Sequence, residues 1–146
     1  MMTHLDDYEP EGTLAKGTFF FGALHPFDMD KVTDALGITP TYLWSQKKDW
    51  QWGKVGIPHA TWGYETSLSA YDTIDTPANE ILEVFCPLRD IILNLVHDYN
   101  LEVCLDIFIQ FPPDHSCCGM VCEITTSTMR RLVDLEASFQ ITFPFS

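Results

Sequence analysis

From Leu101 to Phe111 an apolar side chain recurs at every second position: Leu101, Val103, Leu105, Ile107 and Ile109. Strand side chains alternate between two faces, so this run predicts a strand with one core-facing side, and a sheet built from such strands must lay that side against a second layer. The end of the chain repeats the alternation with Ala137, Phe139, Ile141 and Phe143, and residues 60–68 do so with Trp62, Tyr64 and Leu68 on one face. Residues 16–24 are apolar on both faces and dense in aromatics, which predicts a central strand.

Helices are expected between these strands. Asp28 is placed to cap a short helix that presents Met29, Val32, Ala35 and Leu36, with Gly37 at its C′ position and Pro40 barring continuation. Thr76 and Pro77 signal the start of a longer helix with the stripe Ile81, Phe85, Leu88, Ile92, Leu95 and Val96; Pro87 predicts a kink or a new start within it. Pro112-Pro113-Asp114 reads as the turn of a hairpin whose second strand is residues 119–125. Thr126 or Ser127 then caps a helix with Met129, Leu132 and Val133 on one face. The resulting order, β-α-β-α-β-β-α-β, implies an α+β fold: a two-layer sandwich with a mixed or antiparallel sheet and helices on one face. Residues 1–15 read as an acidic N-terminal arm and residues 16–146 as a single domain.

The chain carries 8 basic and 21 acidic residues, a net charge of −13. Affinity for nucleic acid and for anionic membranes rests on Lys and Arg meeting phosphate, so neither is an expected partner; a basic protein is. No apolar run is long enough to span a bilayer, and the first residues carry neither a basic nor an apolar leader region; a cytoplasmic location is expected. The five cysteines are odd in number and fit reduced thiols.

Catalytic and metal signatures are weak. His115-Ser116-Cys117-Cys118-Gly119-Met120-Val121-Cys122 gathers soft ligands but has no CxxC pair, and a hairpin with small thiols explains it more simply than zinc. No GxSxG, HExxH or phosphate-cradling glycine loop occurs, and the five histidines are scattered. No catalytic residue, metal or cofactor is therefore assigned. The richest stretch is Tyr42-Leu43-Trp44-Ser45-Gln46-Lys47-Lys48-Asp49-Trp50-Gln51-Trp52, inside a long connection over residues 40–59. Large rigid rings dominate binding hot spots, so Tyr42, Trp44, Trp50 and Trp52 are candidate partner anchors, with Asp49, Asp72 and Asp75 as steering or hydrogen-bonding groups. Whether each tryptophan meets a partner or covers the sheet is left open by the sequence.

The order of motifs resembles a bacterial family, domain of unknown function 4279. The resemblance rests on Phe19-Phe20-Phe21-Gly22, then Leu36-Gly37-Ile38-Thr39-Pro40-Thr41, the strand Thr61-Trp62-Gly63-Tyr64-Glu65, and a late helix–strand pair around Leu132 to Ile141. It covers about residues 16–145 and implies no catalytic residue. It does suggest a role, since members resembling it look like immunity proteins of polymorphic toxins. An immunity protein that masks a cognate toxin domain, whether nuclease or ADP-ribosyltransferase, is the first expectation. A non-catalytic domain that binds a small or regulatory ligand is the alternative.

Overall fold

The computed structural model describes residues 12–45, 60–112 and 120–144. The elements run β1 (Leu14–Ala23), α1 (Met29–Leu36), β2 (Tyr42–Ser45), β3 (Ala60–Glu65), β4 (Ser69–Ala70), α2 (Asp75–Phe85), α3 (Arg89–Tyr99), β5 (Glu102–Gln110), α4 (Thr126–Asp134) and β6 (Ser138–Thr142). The strands form one sheet in the order β2-β3-β1-β5-β6, and β4 pairs with the start of β1. All pairings are antiparallel except β5 with β6, which is parallel. The sheet is thus mixed and the helices share one face, the two-layer α+β sandwich expected from the pattern.

The helix-bearing face follows from the register. Phe19 and Phe21 of β1 stand beside Tyr64 and Trp62 of β3 on one side, and beside Leu105 and Val103 of β5 on the other. Above them, Phe85 of α2 stacks on Phe19 at 4.0 Å between centroids and meets Tyr64 and Trp62 edge-on. Stacked and edge-on rings satisfy the quadrupole preference of aromatic pairs, so this cluster has directional as well as hydrophobic cohesion. Trp62 is fully buried, and its indole N–H donates to Thr33 of α1 at 2.9 Å, which fixes that helix over β3. Gly17 permits the tightest approach: a Cβ there would lie 2.9 Å from Ile81 Cγ1 and 3.3 Å from the Pro77 carbonyl, so α2 rests directly on β1.

The caps of α1 are as read. Asp28 accepts from the amides of Asp30 and Lys31, and Gly37 closes the helix in the left-handed conformation at φ 70°. Pro87 sits in a single 3-10 turn, Cys86–Leu88, that separates α2 from α3, consistent with the missing amide. The helix begins slightly earlier than Thr76, at Asp75, whose amide bonds the Thr73 hydroxyl at 3.2 Å.

Other expectations are corrected. Of the stretch 119–125, expected as the second strand of a hairpin with β5, the described residues 120–125 form no such strand. Among the described residues of that segment, Val121 makes one parallel bridge, to Thr73, and β5 instead pairs with β1 and β6. Parallel neighbours need a crossover, and α4 occupies it. The strand over residues 60–68 stops at Glu65, and Leu68 lies exposed beyond it. In α4 only Leu132 of the expected stripe is buried; Met129 and Val133 face outward. Part of the stretch read as a connection, Tyr42–Ser45, is the edge strand β2. Residues 46–59, and with them Asp49, Trp50 and Trp52, lie outside the described residues, as do His115, Cys117 and Cys118.

Candidate functional site

The same register that points Phe19 and Leu105 at the helices points their neighbours the other way, onto a face that no described helix covers. Three rows cross it. In the first, Tyr42 of β2, Gly63 of β3, Phe20 of β1, Cys104 of β5 and Ser138 of β6 are successive partners. The second runs Glu65, Thr18, Asp106 and Gln140, and the third Lys16, Phe108 and Thr142. Cross-strand neighbours lie about 5 Å apart, so these side chains form one contiguous patch.

Tyr42 is laid across the patch by a glycine. A Cβ at Gly63 would overlap the Tyr42 ring and hydroxyl, so only glycine there lets the phenol lie flat along the sheet. Burial of that phenol, then the charges of Glu65 and Asp106 and the neighbouring Cys104, push its pKa up to about 12. Burial likewise pushes the Cys104 thiol up to about 11, aided by Asp106 and Glu102 against a hydrogen bond from Ser138. The Asp106 carboxyl is also held above its usual range by burial, although bonds from Thr142 and Gln140 and the charge of Lys16 oppose this. The Thr142 hydroxyl donates to Asp106 at 2.6 Å. Lys16 pairs with Glu65 at 3.1 Å and lies 5.7 Å from the centre of the Phe108 ring. Thr18, 6% exposed, is enclosed between the two carboxylates.

This arrangement suits binding of a positively charged or hydrogen-bond-donating group. Two carboxylates face one lysine, and a phenol and a thiol that resist ionisation complete the patch. Both the thiol and the phenol are moved away from the ionised form, which is the nucleophilic one. Among the described residues no cluster of three or more His, Cys, Asp or Glu is placed to hold a metal ion. A groove of 480 Å³ between α1 and α3 is lined by Lys31, Asp34, Asp98 and Tyr99, but its charged residues are all exposed, so it lacks the desolvated polar groups of the sheet face.

Of the residues singled out in the sequence, Tyr42 and Trp44 lie on this face, both half-buried, with Trp44 opposite Thr61. Asp72 and Asp75 do not join them. The Asp72 carbonyl accepts from Val121 N at 2.8 Å, at the end of the sheet where β4 meets the start of β1. Asp75 holds α4 onto α2: its carboxylate accepts from the Thr125 amide at 2.9 Å, the Thr128 hydroxyl at 2.6 Å and Asn79 at 3.0 Å. Burial disfavours that charge, but the bonds from Thr128 and Thr125 and the charge of Arg131 outweigh it and hold the carboxyl below its ordinary value. Glu65, Cys104, Asp106 and Thr142 were not singled out beforehand. Their signal was the same period-2 alternation, read for its polar phase instead of its apolar one.

No helix among the described residues is long and apolar enough to cross a membrane. No curated protein and no solved structure matches the chain. Residues 13–146, a stretch that holds every described strand and helix, match the family described as domain of unknown function DUF4279, and the chain belongs to that family.

Proposed function

We propose that this protein is an immunity protein: a non-catalytic antidote that binds a cognate, basic toxin domain in the cytoplasm and masks its active site. The observation that carries the reading is the helix-free sheet face, where Tyr42 lies in the row beside the acidic pair Glu65 and Asp106 and Trp44 in the next row beyond it, on a chain of net charge −13. A strongly negative molecule attracts a basic enzyme from a distance, and half-buried rings then slow its release. Trp50, Trp52 and Asp49 follow β2 directly in sequence and extend the same aromatic and acidic chemistry.

The test is co-expression with the C-terminal domain of the neighbouring gene's product, read by growth rescue and by isolation of a one-to-one complex. Rescue with a complex that Trp44→Ala weakens by about 2 kcal/mol supports the reading. Absence of both rescue and complex sinks it. A second reading, a domain that binds a small cationic ligand, is favoured by one observation: Tyr42, Cys104 and Asp106 are all desolvated at one spot. A thermal-shift screen of amines and guanidines separates the two readings. Stabilisation by such a compound without toxin rescue moves the assignment to the ligand-binding domain.

A further inference from the structure

The chain has 29 charged residues, 8 basic and 21 acidic, yet its last ten, Ala137 to Ser146, include none. Those residues contain β6, the last strand of the sheet, whose outer edge has no partner among the described residues. Exposed edges are normally blunted by a lysine, an inward charge, a proline or a bulge; Ser138–Thr142 has no charge and no proline. On the helix-bearing side of this edge Phe139 and Ile141 are only half-buried, and Phe143, stacked on Phe111, is 44% exposed.

The helix beside the edge has an apolar flank of its own. Arg131 of α4 reaches Asn79 at 3.0 Å and Glu83 at 3.9 Å, so that flank of α4 faces α2. At about 100° per residue, Met129 and Val133 lie on the opposite flank, away from α2 and therefore toward the β6 edge. They are 45% and 72% exposed. An unprotected edge strand and an unburied helix flank thus look outward on the same side of the molecule.

We propose that this side is the interface of a homodimer, in which β6 pairs antiparallel with β6 of a second copy about a twofold axis at Gln140. The sequence is self-complementary in that register. Phe139 falls opposite Ile141 and Ala137 opposite Phe143 on the helix side, while Ser138 meets Thr142 and Gln140 meets itself on the other. A one-residue slip places Phe139 opposite either Gln140 or Thr142 and breaks every apolar pair. A stable interface needs about 1,200–2,000 Å² of buried surface, more than two short strands supply, and the facing α4 helices with Met129 and Val133 provide the remainder. The contact is isologous, so it closes at two copies and does not propagate into a fibre. It does not depend on the toxin-binding reading: Ser138, Gln140 and Thr142 border the helix-free patch, but Tyr42, Trp44 and Glu65, which carry that reading, lie on β2 and β3 at the other end of the sheet order.

The experiment is sedimentation equilibrium on the full chain at micromolar concentration, with three variants. Wild type is expected at twice its 16.7 kDa mass. Val133→Glu, on an exposed position, is expected to weaken the dimer about tenfold or more with unchanged circular dichroism. Antiparallel residues on a twofold have Cα atoms about 4.5–5.5 Å apart, within disulfide range, so Gln140→Cys should be trapped on oxidation as a covalent dimer. Wild type, with its native cysteines, is the control and should not be trapped. Gln140→Lys sets like charges against each other and should dissociate the pair. A monomeric wild type overturns the proposal. So does a dimer that Gln140→Cys does not trap and that Val133→Glu and Gln140→Lys leave intact, which would place the contact elsewhere.

Discussion

Asp75 and Asp106 are both partly enclosed carboxylates, and their surroundings drive them in opposite directions. Asp75 is held below its ordinary pKa, because its burial is outweighed by hydrogen bonds from Thr128 and Thr125 and by the charge of Arg131. A folded-state value below the unfolded one means stability that is present at neutral pH and lost as pH falls through the folded value, here below about pH 4. Asp75→Ala leaves the Thr125 amide and Thr128 hydroxyl without their acceptor and is expected to cost about 2–3 kcal/mol in urea denaturation at pH 7. Asp75→Asn should cost less and flatten the acid limb. For Asp106 the sign reverses: its folded value is raised, so the native state keeps the proton longer and stability falls as pH climbs through that window. Asp106→Asn should therefore match or exceed wild-type stability at pH 7, and a clear loss there would show that the charge itself is needed. Gly63 gives the sharpest test of the candidate site. Gly63→Ala must lift the Tyr42 ring, and the phenol that titrates at about 12 should move down toward 10 in a spectrophotometric titration, with Tyr42→Phe identifying the transition.

Local signals and long-range pairing separate cleanly among the elements. The helix α1 was legible end to end, because its caps are properties of neighbouring residues: Asp28 accepts the Asp30 amide at 3.1 Å, and Gly37 takes the left-handed turn at φ 70° without strain. Asp28→Ala should cost about 1 kcal/mol and Gly37→Ala a similar amount. The two ends are roughly 12 Å apart, so the double variant should lose about 2 kcal/mol in a denaturant titration. A markedly smaller loss would mean that the bond from Trp62 to Thr33 holds the helix without its caps. The apolar phase of β5 was equally legible, but its partner was not. A proline-rich turn after a strand suggests a hairpin, whereas β5 takes β6 as its parallel neighbour through α4, with Asp106 paired to Gln140. Nothing local distinguishes these outcomes. The same limit explains α4: Met129, Leu132 and Val133 cluster as one apolar face, but the bracket of Asp75, Asn79 and Thr128 rotates the helix so that Leu132 alone enters the core. At the site, Tyr42 and Trp44 were visible as rings in a polar stretch. Asp106 and Cys104 were not, because a polar residue in a strand looks like ordinary solvent-facing alternation until the register sets Glu65 and Tyr42 beside it.

At the scale of the whole molecule the governing quantity is the net charge of −13. Its field reaches about 10 Å at 0.1 M salt and about 3 Å at 1 M, so it acts on an approaching partner far more than on a docked one. In the binding reading, charge and aromatic contact therefore control different rates. Raising salt from about 20 mM to 500 mM should slow association with a basic partner by about tenfold or more while leaving dissociation nearly constant. Truncating Trp44 should do the reverse, speeding dissociation with little change in association, because a neutral ring contributes nothing at a distance. Glu65 tests the boundary between these effects. It is paired with Lys16 at 3.1 Å, so Glu65→Gln removes a steering charge and also releases a cation onto the same face. If the face meets a basic partner, that variant should lose association rate beyond what one unit of charge predicts and should release the complex faster as well. If it alters only association, by no more than a charge removed from a distant surface such as Asp90, the partner docks elsewhere on the molecule, and the acidic field serves encounter alone.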